Sequence, residues 1–109
     1  MAAVDLALGV PEVITLGLSN VAQEVTFPEN ARRYYIYFRG GVDGLMYPTG
    51  TDGAAINADA STIGGGAWFE NNVPGCILGG RSRNLDAATR KAFFASATAA
   101  AVLEIRCEP

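Results

Sequence analysis

The chain has 109 residues, half of them apolar and 17% charged, with a net charge of −3. That length makes one domain, able to bury roughly 65% of its unfolded surface without staples, and the composition excludes a disordered acidic or basic tail. Of the 8 basic residues only Lys91 is a lysine, which argues against nucleic acid as a partner, and no apolar run approaches the ~20 residues of a membrane span.

Thirteen glycines and five prolines are spread along the chain, as short strands with frequent turns require. No basic region precedes the first apolar residues, so no secretory signal is expected. The two cysteines, Cys76 and Cys107, lie far apart and in no metal-ligand spacing. Buried free thiols are the first reading, a single disulfide the alternative, and folding in a reducing cytoplasm fits both counts and spacing.

Residues 1–11 form an apolar arm with one charge, Asp5, before a single domain over 12–109. The arm is too short to fold alone and would leave a sticky strip in water. Docking on a neighbouring subunit or partner through Leu6, Leu8 and Val10 is the expectation, with a frayed terminus as the alternative. Residues 13–18 alternate Ile14, Leu16 and Leu18 against Val13, Thr15 and Gly17, the pattern of a strand. After a turn at Ser19-Asn20, residues 23–27 form the next strand, with Val25 and Phe27 inward; Pro28 closes it, because proline cannot donate to a ladder.

Residues 32–39, Arg-Arg-Tyr-Tyr-Ile-Tyr-Phe-Arg, predict a central strand. Tyr34, Ile36 and Phe38 share the face that enters a core, while Arg33, Tyr35, Tyr37 and Arg39 share the other. Those outward residues have the composition of an interface, although a solvated sheet face has it too. A short strand over 42–47 follows, ended by Pro48, then a loop at 49–53 and an ambiguous stretch at 54–60. Gly64-Gly65-Gly66 precedes Trp68-Phe69 and reads as a bend or bulge that presents the tryptophan. Trp68 is either core or an anchor at a subunit contact. Cys76-Ile77-Leu78 is a short buried strand, and 79–84 a polar loop.

Residues 86–107 pull two ways. Asp86 to Ala101 is alanine-rich without Gly or Pro, which favours a helix. Yet Ala101, Leu103, Ile105 and Cys107 alternate with Val102, Glu104, Arg106 and Glu108, which favours a strand. The preferred reading is a helical turn at 86–89, a strand over 90–97, a turn at 98–100 and a final strand over 101–107. About eight short strands in this length predict an all-β fold, a compact antiparallel sandwich of jelly-roll type.

Chemistry is sparse. Histidine is absent, which removes the commonest general base, the usual triad partner and the commonest zinc ligand. Carboxylate pairs can be drawn among Glu24, Asp43, Asp52, Asp59 and Glu70, but any β domain of this acidity offers them. Asn57, Asp59 and Ser61 with Asp52 resemble a calcium loop that lacks its central Gly and late Glu. The glycine tract has no Lys-Ser/Thr after it and no βαβ context. No enzyme activity, catalytic residue, metal ligand or cofactor is therefore expected.

The run Ile14-Thr15-Leu16-Gly17-Leu18-Ser19-Asn20, then Gln23-Glu24-Val25-Thr26-Phe27-Pro28 and an aromatic strand, resembles small β-sandwich virion proteins of tailed bacteriophages. Asp52-Gly53-Ala54-Ala55-Ile56-Asn57-Ala58-Asp59, Trp68-Phe69-Glu70 and the ending from Phe93 to Ile105 are similar to the same group. The resemblance covers most of 13–108 and rests on strand and turn patterns. It implies a viral capsid decoration, or cement, protein on the exterior of the virion head, assembled in the host cytoplasm. Its partners would be the major capsid protein and itself, as a homotrimer or, alternatively, a dimer. Arg33, Tyr35, Tyr37, Arg39 and Trp68, with Leu6, Leu8 and Val10 of the arm, are the candidate contacts. The rivals are a carbohydrate-binding module stacking sugars on Trp68, Tyr35 and Tyr37, a head–tail adaptor, and a carboxylate-pair hydrolase.

Overall fold

The alternating hydrophobicity of the chain resolves into two packed sheets. The structure, a computed structural model, describes residues 3–40, 42–56, 67–69, 75–78 and 89–109, of which 67–69 and 75–78 are described by backbone alone. Among these are nine strands and no helix: β1 (Val4–Asp5), β2 (Glu12–Thr15), β3 (Gln23–Thr26), β4 (Arg33–Phe38), β5 (Gly44–Tyr47), β6 (Ala67–Phe69), β7 (Gly75–Leu78), β8 (Lys91–Ala95) and β9 (Val102–Glu108). They form one sheet in the order β1-β3-β8-β5-β6 and a second in the order β2-β9-β4-β7. The Cα radius of gyration, 12.2 Å, is close to the ~13 Å of a compact 100-residue domain.

The antiparallel pairs are nested. β2 pairs with β9, β3 with β8, β4 with β7 and β5 with β6, as if one long hairpin had been folded over on itself. β4 also pairs with β9, and β5 with β8, which joins the folded hairpin into two layers. Strand β9 thus lies between the first strand of its sheet and the aromatic strand β4. The strand reading of the C-terminal segment is the observed one: β8 and β9 flank a turn at 97–100. The expected helical turn at 86–89 falls largely outside the described residues; Thr89 and Arg90 form a turn.

Alternation places one face of each strand between the layers. Val25 and Phe27, Tyr34, Ile36 and Phe38, Ile14 and Leu16, and Leu103, Ile105 and Cys107 are all buried in one cluster. Phe27 and Tyr34, from opposite sheets, sit 4.7 Å apart between ring centroids, and Phe94 lies 6.4 Å from both Phe27 and Phe38. These tilted contacts suit the ring quadrupoles.

The 42–47 segment departs from alternation, and β5 begins at Gly44 with all four residues buried. Met46 enters the main core, whereas Leu45 and Tyr47 join Ala22, Phe93 and Ala95 in a second cluster on the outer face of the same sheet. Residues 52–56 cover that face. Ala22 N–H donates to the Ala54 carbonyl at 2.9 Å, Ile56 N–H to Asn20 at 2.8 Å, and Glu24 N–H to Asp52 Oδ1 at 2.8 Å. Residues 44–47 of β5 and 92–95 of β8 are therefore dry on both sides, which is why they read as continuous apolar runs, while Lys91 at the start of β8 stays partly exposed.

Two expectations are corrected. The first core strand ends at Thr15, not Leu18; Leu16 is still inward, but Leu18 is 75% exposed where the chain turns toward Asn20, whose φ is 58°. The arm is not a free strip either. Val4 and Asp5 add to β3 in parallel, Leu6 enters the core, and Gly9 N–H donates to the Cys107 carbonyl at 2.8 Å. The unpaired side of β3 and the adjoining apolar end of the core give the arm a partner within its own chain. Leu6 is consequently unavailable to a neighbour, while Leu8 and Val10 remain exposed.

Two substitutions test this packing. A Cβ on Gly44 would overlap the fully buried Phe38 ring, so Gly44→Ala should cost about 1–3 kcal/mol by overpacking, measured by urea unfolding. Phe38→Leu in the same chain should recover part of that loss. Ala100 holds a φ of 58°, which strains an L-residue. Ala100→Gly should gain up to about 1 kcal/mol, the relieved strain being offset in part by the greater freedom of glycine in the unfolded chain.

Candidate interaction surface

The outward face of the β2-β9-β4-β7 sheet gathers the side chains that the core rejects. From β4 come Arg33, Tyr35 and Tyr37, from β9 Glu104, Arg106 and Glu108, and from β2 Val13 and Thr15. Register then decides who meets whom: Tyr35 lies opposite Arg106, Tyr37 opposite Glu104, and Glu104 in turn opposite Val13. Cross-strand neighbours on one face interact directly. The Arg106 guanidinium carbon sits 4.6 Å from the centre of the Tyr35 ring, a cation–π contact. Arg39, one residue past β4, donates through Nε to Glu104 Oε1, and Arg106 Nε lies 3.0 Å from Glu108 Oε1.

These pairs are half-exposed, so each contributes little to stability, ~0.2–1 kcal/mol. Their effect is geometric. They hold long side chains upright around a groove of about 320 Å³ lined by Pro11, Val13, Tyr35, Arg39, Glu104 and Arg106. Val13 is 51% and Tyr35 36% exposed, which gives the groove an apolar floor and a charged rim. A second hollow, about 290 Å³, lies on the other sheet around Glu24, Pro48, Thr49, Thr89 and Lys91. It is more polar, and Glu24 and Lys91 bridge it at 3.4 Å.

Sequence reasoning named Arg33, Tyr35, Tyr37 and Arg39, and the structure places all four on this face. It missed Pro11, Val13, Glu104 and Arg106. The alternation of 101–108 marks Glu104 and Arg106 as outward, but only register shows that they stand beside the tyrosines. Trp68 is placed elsewhere: its backbone pairs with Leu45 in the other sheet, so the strand that carries it is not part of this face. Leu8 and Val10 lie on the segment leading into β2, at the margin of the face.

No protein-family model matches the chain, and no curated protein and no solved structure is significantly similar to it. The functional reading therefore rests on this geometry.

The groups singled out for chemistry are occupied in the fold or lie outside the described residues. Asp52 Oδ1 accepts the Glu24 amide, and Asp59 and Glu70 lie outside the described residues. Buried Ser96 donates to the Asp43 carbonyl at 2.6 Å and accepts from Thr98 N–H at 3.1 Å. Cys107 is a free, buried thiol. Cys76 lies on β7 and Cys107 on β9, on opposite sides of β4. Two strand spacings, about 9.5 Å, exceed the reach of a disulfide.

Burial, and secondarily the neighbouring Glu108, pushes the Cys107 thiol from 9.0 up to about 12, and burial alone pushes Tyr47 from 10.0 up to about 12. Both groups stay neutral in the folded chain at neutral pH. Above pH 9.0 the unfolded thiol loses its proton while the folded one keeps it, so stability falls until about pH 12, where both forms are ionised. Thermal melts across this range should show a steady loss beginning near pH 9, and Cys107→Ala should delay that onset toward pH 10, where Tyr47 takes over. A Tm for the native chain that stays flat to pH 12 would contradict the burial of both groups.

Proposed function

We propose that this chain is a bacteriophage capsid decoration protein. It binds the outer surface of the head shell as a small homo-oligomer and stabilises it, with the major capsid protein as its partner. The observation that carries the reading is the outward face of the β4–β9 pair, a preorganised set of tyrosine and arginine side chains on the longest ladder among the described residues. Tyrosine and arginine are over-represented among residues that dominate protein contacts. The proposal includes a jelly-roll connectivity for β2 to β9. In its support, the four antiparallel pairs are nested and each strand from β2 to β5 alternates between sheets. That architecture recurs in viral capsid and lectin domains. Many weak protomer contacts distributed over a shell add to a large resistance against internal pressure.

A sugar-stacking role is less well supported, because one face of the Tyr35 ring is already taken by Arg106 and Trp68 stands in the other sheet. Electron microscopy of particles of the encoding virus should show the chain at regular points on the head exterior. Purified Tyr35→Ala and Arg39→Ala chains should bind stripped heads at least about tenfold more weakly with Tm nearly unchanged. Unchanged binding, or saturable glycan binding with no affinity for heads, would refute the assignment.

A further inference from the structure

The five exposed large hydrophobic residues among those described are Leu8, Val10, Val13, Leu18 and Tyr35. Four of them lie on one segment, residues 8–18, and the fifth lines the same groove as Val13. That segment contains β2, the outer strand of its sheet. Leu16 N–H donates to the directly opposed Ala101 carbonyl at 2.8 Å. In an antiparallel ladder such pairs recur at every second residue, so Ile14 and Glu12 also bond toward β9. The N–H and C=O groups of Val13 and Thr15 therefore point away from the sheet, and among the described residues nothing pairs with them.

Unpaired edges are usually blunted by charged side chains, above all lysine, by proline, by a bulge or by a very short strand. The edge at β1 is blunted in this way, being only Val4–Asp5. β2 is blunted only at its start, by Pro11 and Glu12; it has no lysine, and Glu12 is the only charge between residues 10 and 18.

We propose that the free edge of β2 pairs antiparallel with β2 of a second copy of this chain, about a two-fold axis at Ile14. The sequence is self-complementary in that register. Ile14 meets Ile14 of the second copy, Val13 meets Thr15, and Glu12 meets Leu16, so no like charges oppose one another. Pro11, which has no N–H to offer the edge, falls opposite Gly17. Val10 and Leu18, the former 52% and the latter 75% exposed, are brought together. The sheet continues across the axis, and the groove beside Val13 becomes a double groove. This pairing specifies the self-association that the proposed function includes but does not rest on head binding, since it concerns the strand edge rather than the outward face. Absence of the dimer with head binding retained would sink the pairing alone.

Sedimentation velocity of the full chain at tens of micromolar should show a species near 23 kDa, against 11.4 kDa for one chain. Val13 and Thr15 are exposed, so charge can be placed there without disturbing the core. V13K/T15K sets lysine opposite lysine twice and should weaken the dimer at least tenfold, with the circular dichroism spectrum retained. V13K/T15E sets lysine opposite glutamate and should restore association to within a few-fold of the native chain. A native chain that stays monomeric, or one that sediments as a trimer, would overturn the proposal. So would V13K/T15K dimerising normally, or V13K/T15E being as disruptive as V13K/T15K.

Discussion

Among the described residues, aromatic rings interlock the two layers: Phe27 and Phe94 from one sheet, Tyr34 and Phe38 from the other. Each is fully buried, and burying a side chain of this kind contributes about 1.5–3 kcal/mol. Their positions constrain everything around them. Phe38 occupies the volume a side chain at residue 44 would need, so the strand that crosses it must carry glycine there. Phe27, just past β3, packs on Tyr34 near the start of β4, which fixes how the two layers meet where the chain crosses from one sheet to the other. Once these rings interlock, the nested pairing of strands is the arrangement that also satisfies the backbone donors and acceptors between them.

The same interlock separates a closed interior from a working exterior. Inside, Cys107 and Tyr47 are held neutral by desolvation, and Ser96 is tied to backbone on both its donor and acceptor sides. Outside, β4 and β9 form a stiff base on which Tyr35, Arg39, Glu104 and Arg106 brace one another. Side chains fixed in this way lose little rotamer freedom on meeting a partner, which favours recognition by a rigid module. Residues 8–18 add a second kind of surface, a strand edge that no described residue pairs, with apolar flanks.

Much of this architecture was legible in the sequence because alternation has a period of two and reports one buried face directly. Residues 32–39 and 101–107 show it cleanly, and alternation in the second outweighed the helix propensity of its alanines. Tertiary burial of Leu103, Ile105 and Cys107 decides such a conflict, since propensity differences are fractions of a kcal/mol per residue. Other parts were not legible. Leu45-Met46-Tyr47 and Phe93-Phe94 are apolar on both faces because residues 52–56 cover the outer one, and no local pattern announces that cover. The arm reads as an adhesive strip in isolation, yet its own β3 offers an edge and the core receives Leu6. Register was equally hidden, so Glu104 and Arg106 could be assigned to a face but not placed beside Tyr37 and Tyr35.

The nested pairing of the chain's first long strand with its last is the claim on which the fold, the outward face and the free edge all depend. Nuclear Overhauser contacts in the native chain test it directly. In antiparallel pairs that share no hydrogen bond the Cα atoms come within about 4.5 Å, so strong Hα–Hα contacts are expected between Val13 and Glu104 and between Ile36 and Ile105. Sequential helical contacts running through residues 90–107, with no contact from β9 to either β2 or β4, would contradict the account.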